Sequence, residues 1–399
     1  MPARQTPYSN ASARHSTADT HHAGVRRDIT DKALHGVSRW DLQQMEGRET
    51  ARKKIPSWAA VEGIWWPVRL SLQQCSSEAC ARHKASVIGS MQGEDTRRRF
   101  IDMTGGLGVD FSFIAPLFRE AIYIEQDEEL CRIARHNMPL LGLTNIRYIN
   151  AKAENLQEDI LSETDQCTTI MIDPARRDVM GRKMVGLHDC IPDVTEIVPR
   201  LRERGARIVL KLSPMLDITA AERELPGEWA EYAVALEGEC KELLLVSGHT
   251  GRHAVDIIQG EVHDYCPKSD MENNETSWAD SIEQYLYEPS AAVLKVQLQD
   301  TLPGKKLSQW SHLFTSAEPI DNFPGRAFRV EGQYSFSKAS LRNLTKDITQ
   351  ANISVRGCPM KVDDLRKKLR LRDGGDTYLF AATMNDGSHV IIRCSKSKV

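Results

Sequence analysis

The amino-acid sequence predicts an α/β protein built on a Rossmann-like parallel sheet. From residue 99 to residue 211, short β-rich runs alternate with segments of helical periodicity. This alternation is typical of a parallel sheet that helices cover on both faces. A glycine-rich turn follows the first run, as in many cofactor-binding folds of this class. The 399 residues, 41% hydrophobic and 27% charged, fit a soluble protein of two or three domains.

The composition and the cysteine pattern argue against several classes of protein. No apolar run approaches the ~20 residues that a membrane helix needs, and no apolar core follows basic residues at the N-terminus. We therefore expect no membrane partner and a cytoplasmic location. The nine cysteines are an odd number without paired C-x-x-C spacing, which argues against a disulfide framework and a zinc ribbon. We expect reduced thiols and no metal ion.

Composition and periodicity divide the chain into five predicted segments. The first is rich in Ser, Thr, Ala, His and Arg and has almost no large apolar side chains, so it cannot bury enough surface to fold. A polar linker at 268–277 precedes the last two segments. In order, the segments are a disordered tail (1–27), a helical N-terminal module (28–95), the α/β domain (96–267), a small module (278–325) and a basic C-terminal domain (326–399).

The α/β domain is predicted to alternate strands with helices. Its predicted elements are strands at 99–103, 121–125, 146–150, 168–173 and 207–211, and helices at 108–118, 127–141 and 189–203. Two further apolar runs, at 243–247 and 254–258, are joined by a connection short enough for an antiparallel hairpin. A parallel sheet that is closed by such a hairpin differs from an all-parallel dinucleotide-binding fold.

The C-terminal domain is predicted to be a basic βαβαββ unit. Its elements are strands at 327–336 and 351–355, helices at 338–349 and 362–371, and a hairpin across residues 385–387, where Asp-Gly is a strong turn signal. Residues 326–399 contain 15 Lys and Arg against 7 Asp and Glu, in a chain of net charge −3. This surplus suggests a polyanionic partner, although charged runs are often only solvated surface. Lys367, Lys368 and Arg370 are the candidate residues for binding it.

The glycine-rich turn after the first strand is the first candidate for a cofactor site. It reads D-x-T-G-G-x-G, with Asp102 and Thr104 ahead of Gly106 and Gly108, and departs from the G-x-G-x-x-G pattern of dinucleotide sites. Asp102 would repel a phosphate but can accept a hydrogen bond from an ammonium or a hydroxyl group. This favours S-adenosylmethionine, which has an amino-acid end and no phosphate. An incidental strand–helix turn is the alternative.

A second acid stands where a ribose is usually bound. Seventeen residues after Gly108, the apolar run 121–124 ends in Glu125, and a parallel sheet places such an acid against ribose hydroxyls. Asp110, Gln126 and Glu154 complete the candidate cofactor residues. Together with the turn, the spaced acid indicates a cofactor site.

A D-P-A-R segment at the end of the fourth strand supplies the candidate catalytic residues. Asp173 would lie at the carboxyl edge of the sheet, where it can hold an amine or hydroxyl and help remove its proton. Pro174 fixes the turn, and Arg176 or Arg177 can contact a phosphate. A helix cap with solvated arginines is the alternative. Lys211, after the next strand, would bind an anionic substrate group or neutralise Asp173.

These residues together resemble a class I S-adenosylmethionine-dependent methyltransferase. Longer segments are more specific, and they resemble the bacterial methyltransferase-like family with a ferredoxin-like insert and a C-terminal THUMP-like domain. These segments are QCSSEACARHKA (74–85), DPARRD (173–178), KLSPMLD (211–217), ECKELL (239–244), YLYEPSAAVLK (285–295) and VRGCPMKVDDLRKKLRLRDGGDTYLFA (355–381). The resemblance covers about residues 40–395. It implies a seven-stranded methyltransferase sheet, S-adenosylmethionine as cofactor and RNA as substrate.

Position by position, the resemblance assigns cofactor roles to Asp102, Gly106, Gly108 and Glu125, and the start of the catalytic motif to Asp173-Pro174. The sequence departs from the family pattern in three places. Thr104 replaces a glycine. Lys152 stands where an acid often contacts the adenine amino group, a role left to Glu154. Ala175-Arg176 replaces a Pro-aromatic pair that stacks on a flipped base in many amino-group methyltransferases.

Two other functions stay open at the level of sequence. One is methyl transfer to a protein or small metabolite, with Arg176, Arg177 and Lys211 binding a carboxylate or phosphate. The other is a noncatalytic RNA-binding protein with a decayed methyltransferase fold. Uracil C5 methylation is disfavoured, because it needs a nucleophilic cysteine and only Cys240 is near the predicted edge.

Overall fold

The computed structural model describes residues 38–90, 93, 97–176, 186–225, 227–267 and 277–397. The predicted disordered tail and most of the predicted linker lie outside these residues. The described chain begins with four helices: α1 (Arg39–Lys54), α2 (Pro56–Ala59), α3 (Arg69–Gln74) and α4 (Glu78–Ser90). Ser38 caps α1 by accepting a hydrogen bond from the Asp41 N–H at 3.1 Å, while the Asp41 carboxylate accepts one from the Ser38 N–H. Trp58 and Trp66 are buried and anchor these helices to the main sheet.

The central domain is a nine-stranded sheet, and the predicted α/β class is confirmed. In chain order the strands of this half are β1 (Arg99–Asp102), β2 (Glu120–Glu125), β3 (Ile146–Asn150), β4 (Thr168–Ile172), β5 (Ala175–Arg176), β6 (Cys190–Ile191), β7 (Arg207–Leu212), β8 (Trp229–Leu236), β9 (Glu239–Ser247), β10 (Gly251–Ile258) and β11 (Glu261–Tyr265). The sheet order is β11-β10-β8-β9-β7-β4-β1-β2-β3, and β5 and β6 form a separate ribbon.

Helices cover both faces of the main sheet. They are α5 (Val109–Ile114), α6 (Glu128–Leu140), α7 (Gln157–Glu163), α8 (Val194–Glu203) and α9 (Ile218–Glu224). One face buries an apolar core that joins α1–α4 to α5 and α6, and the other face buries a core with α7, α8 and α9. The N-terminal helices are therefore a fixed part of one face of the domain.

The predicted hairpin between the runs at 243–247 and 254–258 is wrong. Strand β8 lies between β9 and β10, pairing antiparallel with β9 and parallel with β10. The paired strands β8 and β9 are joined by the turn Glu237-Gly238, where both residues have positive φ, at 51° and 83°. This conformation suits the twist of a two-residue hairpin. The seven strands from β3 to β8 in the sheet order correspond to the predicted sheet, and β10 and β11 extend its edge.

The C-terminal part forms a second, seven-stranded sheet. Its strands are β12 (Tyr285–Pro289), β13 (Lys305–Lys306), β14 (Phe314–Ser316), β15 (Gly325–Ser335), β16 (Asn352–Arg356), β17 (Thr377–Thr383) and β18 (His389–Lys396), in the order β13-β14-β12-β15-β18-β17-β16. Its helices are α10 (Ala291–Lys295), α11 (Lys338–Leu344) and α12 (Val362–Leu369). From β15 onward this matches the predicted βαβαββ order. In the described part of the chain, no helix is long and apolar enough to cross a membrane.

Candidate functional site

A cavity of about 720 Å³, called here the larger cavity, opens where the parallel strands β1, β2, β4 and β7 end. Ligands of open α/β sheets bind in the crevice beyond this edge. The structure brings all nine residues predicted to hold a cofactor into the wall of this cavity: Asp102, Thr104, Gly106, Gly108, Asp110, Glu125, Gln126, Glu154 and Asp173. The larger cavity is therefore the candidate cofactor site.

The glycine turn brings the backbone close to the strand beside it. Gly106 and Gly108 have φ values of +55° and +85°, a region that side chains rarely adopt. Gly105 was not singled out from the sequence, yet a Cβ there would lie 2.2 Å from Cε2 of the Tyr123 ring. Sequence reasoning missed it because the constraint comes from β2, a different element. The turn thus requires glycine for two separate reasons.

Glu125 joins the turn to the end of β2. Its Oε2 accepts a hydrogen bond from the Gly106 N–H at 2.7 Å, and its Oε1 accepts one from the Asp127 N–H at 2.8 Å. The side chain is buried and lines the larger cavity. Because each carboxylate oxygen has two lone pairs, Glu125 can hold the turn and still accept hydrogen bonds from a ligand.

Asp102 is a buried carboxyl at the end of β1, and its Oδ1 accepts a hydrogen bond from the Thr104 N–H at 3.0 Å. Burial raises the pKa of Asp102 to about 8, and the nearby Asp110 and Asp173 carboxylates contribute to the rise. Asp102 is therefore mostly protonated at neutral pH. A cationic group placed beside it would favour its ionised form.

Thr104 links the cofactor turn to the catalytic segment. Its Oγ1 accepts a hydrogen bond from the Asp173 backbone N–H at 2.7 Å. A glycine, which the family pattern has here, could not make this bond. The departure at this position therefore has a structural consequence: the turn after β1 and the end of β4 are held in register.

Asp173 and Lys211 form an ion pair at the sheet edge. The Lys211 Nζ lies 2.5 Å from the Asp173 Oδ2 and 3.4 Å from the Asp110 Oδ2. Burial lowers the pKa of Lys211, but the Asp173 and Asp110 carboxylates outweigh it and raise this pKa well above its ordinary value. Of the two roles considered for Lys211, the structure shows the pairing with Asp173. Pro174 is buried beside them.

A buried charge network extends from this pair to the N-terminal helices, and of its members only Asp110 was among the residues predicted for the site. The Lys84 Nζ on α4 lies 2.6 Å from both carboxylate oxygens of Glu242 on β9 and 3.1 Å from the Asp110 Oδ1. The Ser76 Oγ donates a hydrogen bond to the Asp110 Oδ2 at 2.6 Å. Lys84 is 0% exposed. The motif segments 74–85 and 239–244 contain Ser76, Lys84 and Glu242 and were the available signal for them.

The N-terminal helices also supply part of the wall of the larger cavity. Ser71, Gln74, Cys75 and Ser76, on α3 and just beyond it, line the cavity. Burial raises the pKa of the Cys75 thiol to about 11, so this cysteine stays a thiol rather than a thiolate. No periodicity in the sequence could have placed this segment over the end of the sheet.

A second cavity of about 190 Å³, called here the smaller cavity, lies on the other side of the Asp173–Lys211 pair. Gln74, Asp173, Lys211 and Ser213 line both cavities. The rest of its described wall includes the apolar residues Pro174, Leu187, Leu212, Met215 and Leu216 and the charged residues Lys241 and Glu242. The two cavities thus share Asp173, an arrangement that suits transfer between two ligands held close together.

The other candidate residues of the main domain differ in whether they line the cavities. Arg177 lies outside the described residues, and only the backbone of Arg176 is described, where β5 pairs with β6. Glu154 lines the larger cavity, whereas Lys152 is exposed and, among the described residues, is not part of its wall. Cys240 lines neither cavity wall as far as these are described, and burial raises its pKa to about 11.

The three basic candidates of the C-terminal domain lie at the end of α12. Lys367, Lys368 and Arg370 are exposed, and Leu365 and Leu369 bury the opposite side of the helix. The Lys368 Nζ lies 5.5 Å from the centroid of the Phe336 ring. These residues belong to the second sheet domain, whereas both cavities are lined by the N-terminal helices and the main sheet domain.

Comparisons with known proteins match both halves of the chain. Residues 285–324 match a family model described as a ferredoxin-like domain, and residues 325–396 match one described as THUMP domain-like. An uncharacterized S-adenosylmethionine-dependent methyltransferase of Mycobacterium tuberculosis, strains H37Rv and CDC 1551, is 26% identical over 364 residues, 88% of this chain and 94% of that protein. A "putative methyltransferase" of Porphyromonas gingivalis W83, known from its crystal structure, is 31% identical with a TM-score of 0.78, over 90% of both chains.

Proposed function

The chain belongs to the S-adenosylmethionine-dependent methyltransferases that carry ferredoxin-like and THUMP-like C-terminal domains, and on that premise we propose that it methylates RNA. The resemblance that the sequence motifs indicated is confirmed, the protein is a methyltransferase, and its cofactor is S-adenosylmethionine.

The larger cavity fits the cofactor in size and in chemistry. Its volume of about 720 Å³ lies in the ordinary range for small-molecule sites. Glu125 would bind the ribose hydroxyls, and Glu154 would face the adenine amino group. Asp102 would meet the amino-acid end, where an ammonium can pair with a buried carboxyl. When bound, the cofactor supplies a methyl group on a sulfonium, which needs neither a covalent protein nucleophile nor a metal.

Asp173 would hold the acceptor group on the opposite side. Its carboxylate is only partly exposed and lies between the two cavities, within reach of an N–H or O–H in the smaller one. The Asp173 carboxylate, which is paired with the Lys211 ammonium, can accept a hydrogen bond and orient the acceptor. The Thr104 hydroxyl fixes the Asp173 backbone. These residues thus bind, orient and take up a proton.

The C-terminal match supports RNA as the acceptor. THUMP-like modules are associated with RNA modification, and here the module carries exposed basic side chains at the end of α12. RNA binding depends strongly on contacts between such side chains and phosphates. This match is the observation on which the choice of RNA rests.

Methyl transfer from radiolabelled S-adenosylmethionine tests the proposal. RNA from cells that lack the protein is incubated with wild type or with the Asp173→Ala variant, and cofactor binding by both proteins is measured by calorimetry. We expect the label in RNA with wild type only, and cofactor binding by both. Label in a protein or small-molecule fraction would support the alternative acceptor, and cofactor binding without transfer to any fraction would support a noncatalytic role.

A further inference from the structure

The boundary between the two cavities contains a residue with no role so far. Asp173, Lys211, Ser213 and Gln74 line both cavities. The first two are paired with each other. Gln74 is the last residue of α3, so it reaches the boundary from the N-terminal helices rather than from the sheet. It therefore lies where both reactants must meet.

The backbone around Gln74 is fixed on both sides. The Lys54 Nζ on α1 donates hydrogen bonds to the Leu72 carbonyl at 3.1 Å and to the Gln73 carbonyl at 2.5 Å. On the other side, Ser76 donates to Asp110 at the start of α5. These contacts hold the end of α3 against the cofactor turn. Residues held in this way are suited to positioning a ligand.

The side chain of Gln74 is by contrast available. It is exposed, and in the described part of the chain its amide makes no hydrogen bond. A primary amide offers a carbonyl acceptor and an N–H donor side by side. Nucleobases with an exocyclic amino group present the complementary pair, an N–H donor beside a ring nitrogen acceptor. The geometry of a glutamine amide thus suits the edge of such a base.

We propose that Gln74 binds the hydrogen-bonding edge of one unstacked, amino-bearing base held in the smaller cavity. This inference rests on the proposed RNA methyltransferase function. The cavity of about 190 Å³ is small, and its apolar residues Pro174, Leu212 and Leu216 can contact the faces of a base. The aromatic residue that stacks on a flipped base in related enzymes is absent, so edge contacts have a larger part in holding the acceptor.

Methyl transfer to the amino nitrogen at this boundary needs no reagent other than the cofactor and the base. One amino hydrogen is donated to the Asp173 carboxylate and the other to the Gln74 carbonyl, while the Gln74 NH₂ donates to the ring nitrogen. The amino nitrogen forms a bond to the methyl carbon as the C–S bond of the sulfonium breaks. The sulfur leaves as a neutral thioether, and the proton on the nitrogen passes to Asp173 and then to solvent.

Two adjacent glutamines allow a matched test. Gln74→Met removes the amide at nearly constant length, and Gln73→Met makes the same change one residue earlier, at an exposed position outside the described walls of both cavities. Steady-state transfer to RNA, the dissociation constant of S-adenosylmethionine and the labelled nucleoside after digestion are measured for each protein. We expect Gln74→Met to lower kcat/KM about 5- to 150-fold with cofactor binding unchanged, and Gln73→Met to match wild type.

The outcomes separate the inference from the function on which it rests. An active wild type with a Gln74→Met variant of equal kcat/KM would overturn the role of Gln74 alone. Label on a ribose hydroxyl, or on a base without an amino group, would overturn the base-edge contact while leaving RNA methylation in place. A wild type that binds the cofactor but labels no RNA would overturn both.

Discussion

At the scale of single residues, the ionisation of Asp102 is the property with the clearest functional consequence. The burial that raises its pKa to about 8 keeps the carboxyl protonated in the unliganded protein. An ammonium that binds there pairs with the ionised form, so binding releases a proton. The candidate cofactor site is thus expected to respond to pH through Asp102.

We expect the affinity for S-adenosylmethionine to rise as the pH rises toward 8. Below pH 8, Asp102 must lose its proton before it can pair with the ammonium of the cofactor. This cost weakens binding by up to about tenfold for each pH unit below 8. Calorimetry at pH 6.5 in buffers of different ionisation enthalpy should show release of close to one proton, and none with Asp102→Asn. Equal heats in all buffers with wild type would contradict the assignment.

Single residues also show where prediction from sequence ends. Asp102, Glu125 and Asp173 were found because each follows an apolar strand, and the ends of parallel strands meet at one edge. Lys84 and Gln74 precede the first strand, and their proximity to the site follows only from how α3 and α4 pack on the sheet. Tertiary packing between modules leaves no local periodicity in the amino-acid sequence.

At the scale of elements, the position of β8 was the part of the sheet that the sequence did not reveal. The strand contains three alanines, which are common in helices and depleted in strands, and it lacks the Leu-Val run of its neighbour β9. It is nevertheless buried, because small side chains fit between the sheet and the covering elements. Without β8, the strands β9 and β10 follow each other along the chain with a short connection, and this produced the wrong prediction of a hairpin between them.

The contact of α4 with β9 leads to a prediction about stability. Lys84→Met leaves Glu242 buried without a counter-charge and should lower the free energy of unfolding by about 3–5 kcal/mol. The double change Lys84→Met/Glu242→Leu removes both charges and should recover part of that loss, since an uncompensated buried charge no longer remains. Urea denaturation followed by tryptophan fluorescence measures both values.

The matched control is an exposed pair of the same type. Lys305 lies 2.7 Å from Glu283 at the surface of the second sheet, and Lys305→Met should leave the unfolding free energy close to that of wild type. If the double variant is less stable than Lys84→Met alone, the network is held by more than the Lys84–Glu242 pair.

At the scale of the whole molecule, the two C-terminal family matches form one structural unit. Strand β12 of the ferredoxin-like segment pairs with β15 of the THUMP-like segment, from Tyr285 opposite Arg329 to Pro289 opposite Gly325. The Glu288 carboxylate accepts hydrogen bonds from Arg326 at 2.9 Å and from Arg356 at 2.7 Å. Deleting residues 326–399 would therefore expose an unpaired strand edge, a known cause of aggregation.

This second unit also contacts the acceptor side of the main domain. Helix α10 packs against the buried core next to β8 and β10, and the Lys295 ammonium donates a hydrogen bond to the Leu216 carbonyl. Leu216 follows β7 and lines the smaller cavity. The C-terminal unit is thus joined to the loop that borders the proposed acceptor site, which gives RNA bound on that unit a structural connection to the chemistry.

Substitution therefore tests the RNA-binding role of the C-terminal unit better than truncation. Changing Lys367, Lys368 and Arg370 to Gln should weaken RNA binding and reduce the magnitude of the slope of log K against log salt concentration by about 2. The slope falls because fewer phosphates are neutralised, so fewer counterions are released when RNA binds. The control changes Lys53, Arg119 and Arg204, three exposed residues in other parts of the chain, to Gln and removes the same charge. Fluorescence anisotropy with labelled RNA at several salt concentrations measures the slopes.

Because the basic residues are outside both described cavity walls, cofactor affinity should not change in either variant. Equal losses of RNA affinity in the two variants would mean that net charge, rather than the α12 surface, determines binding.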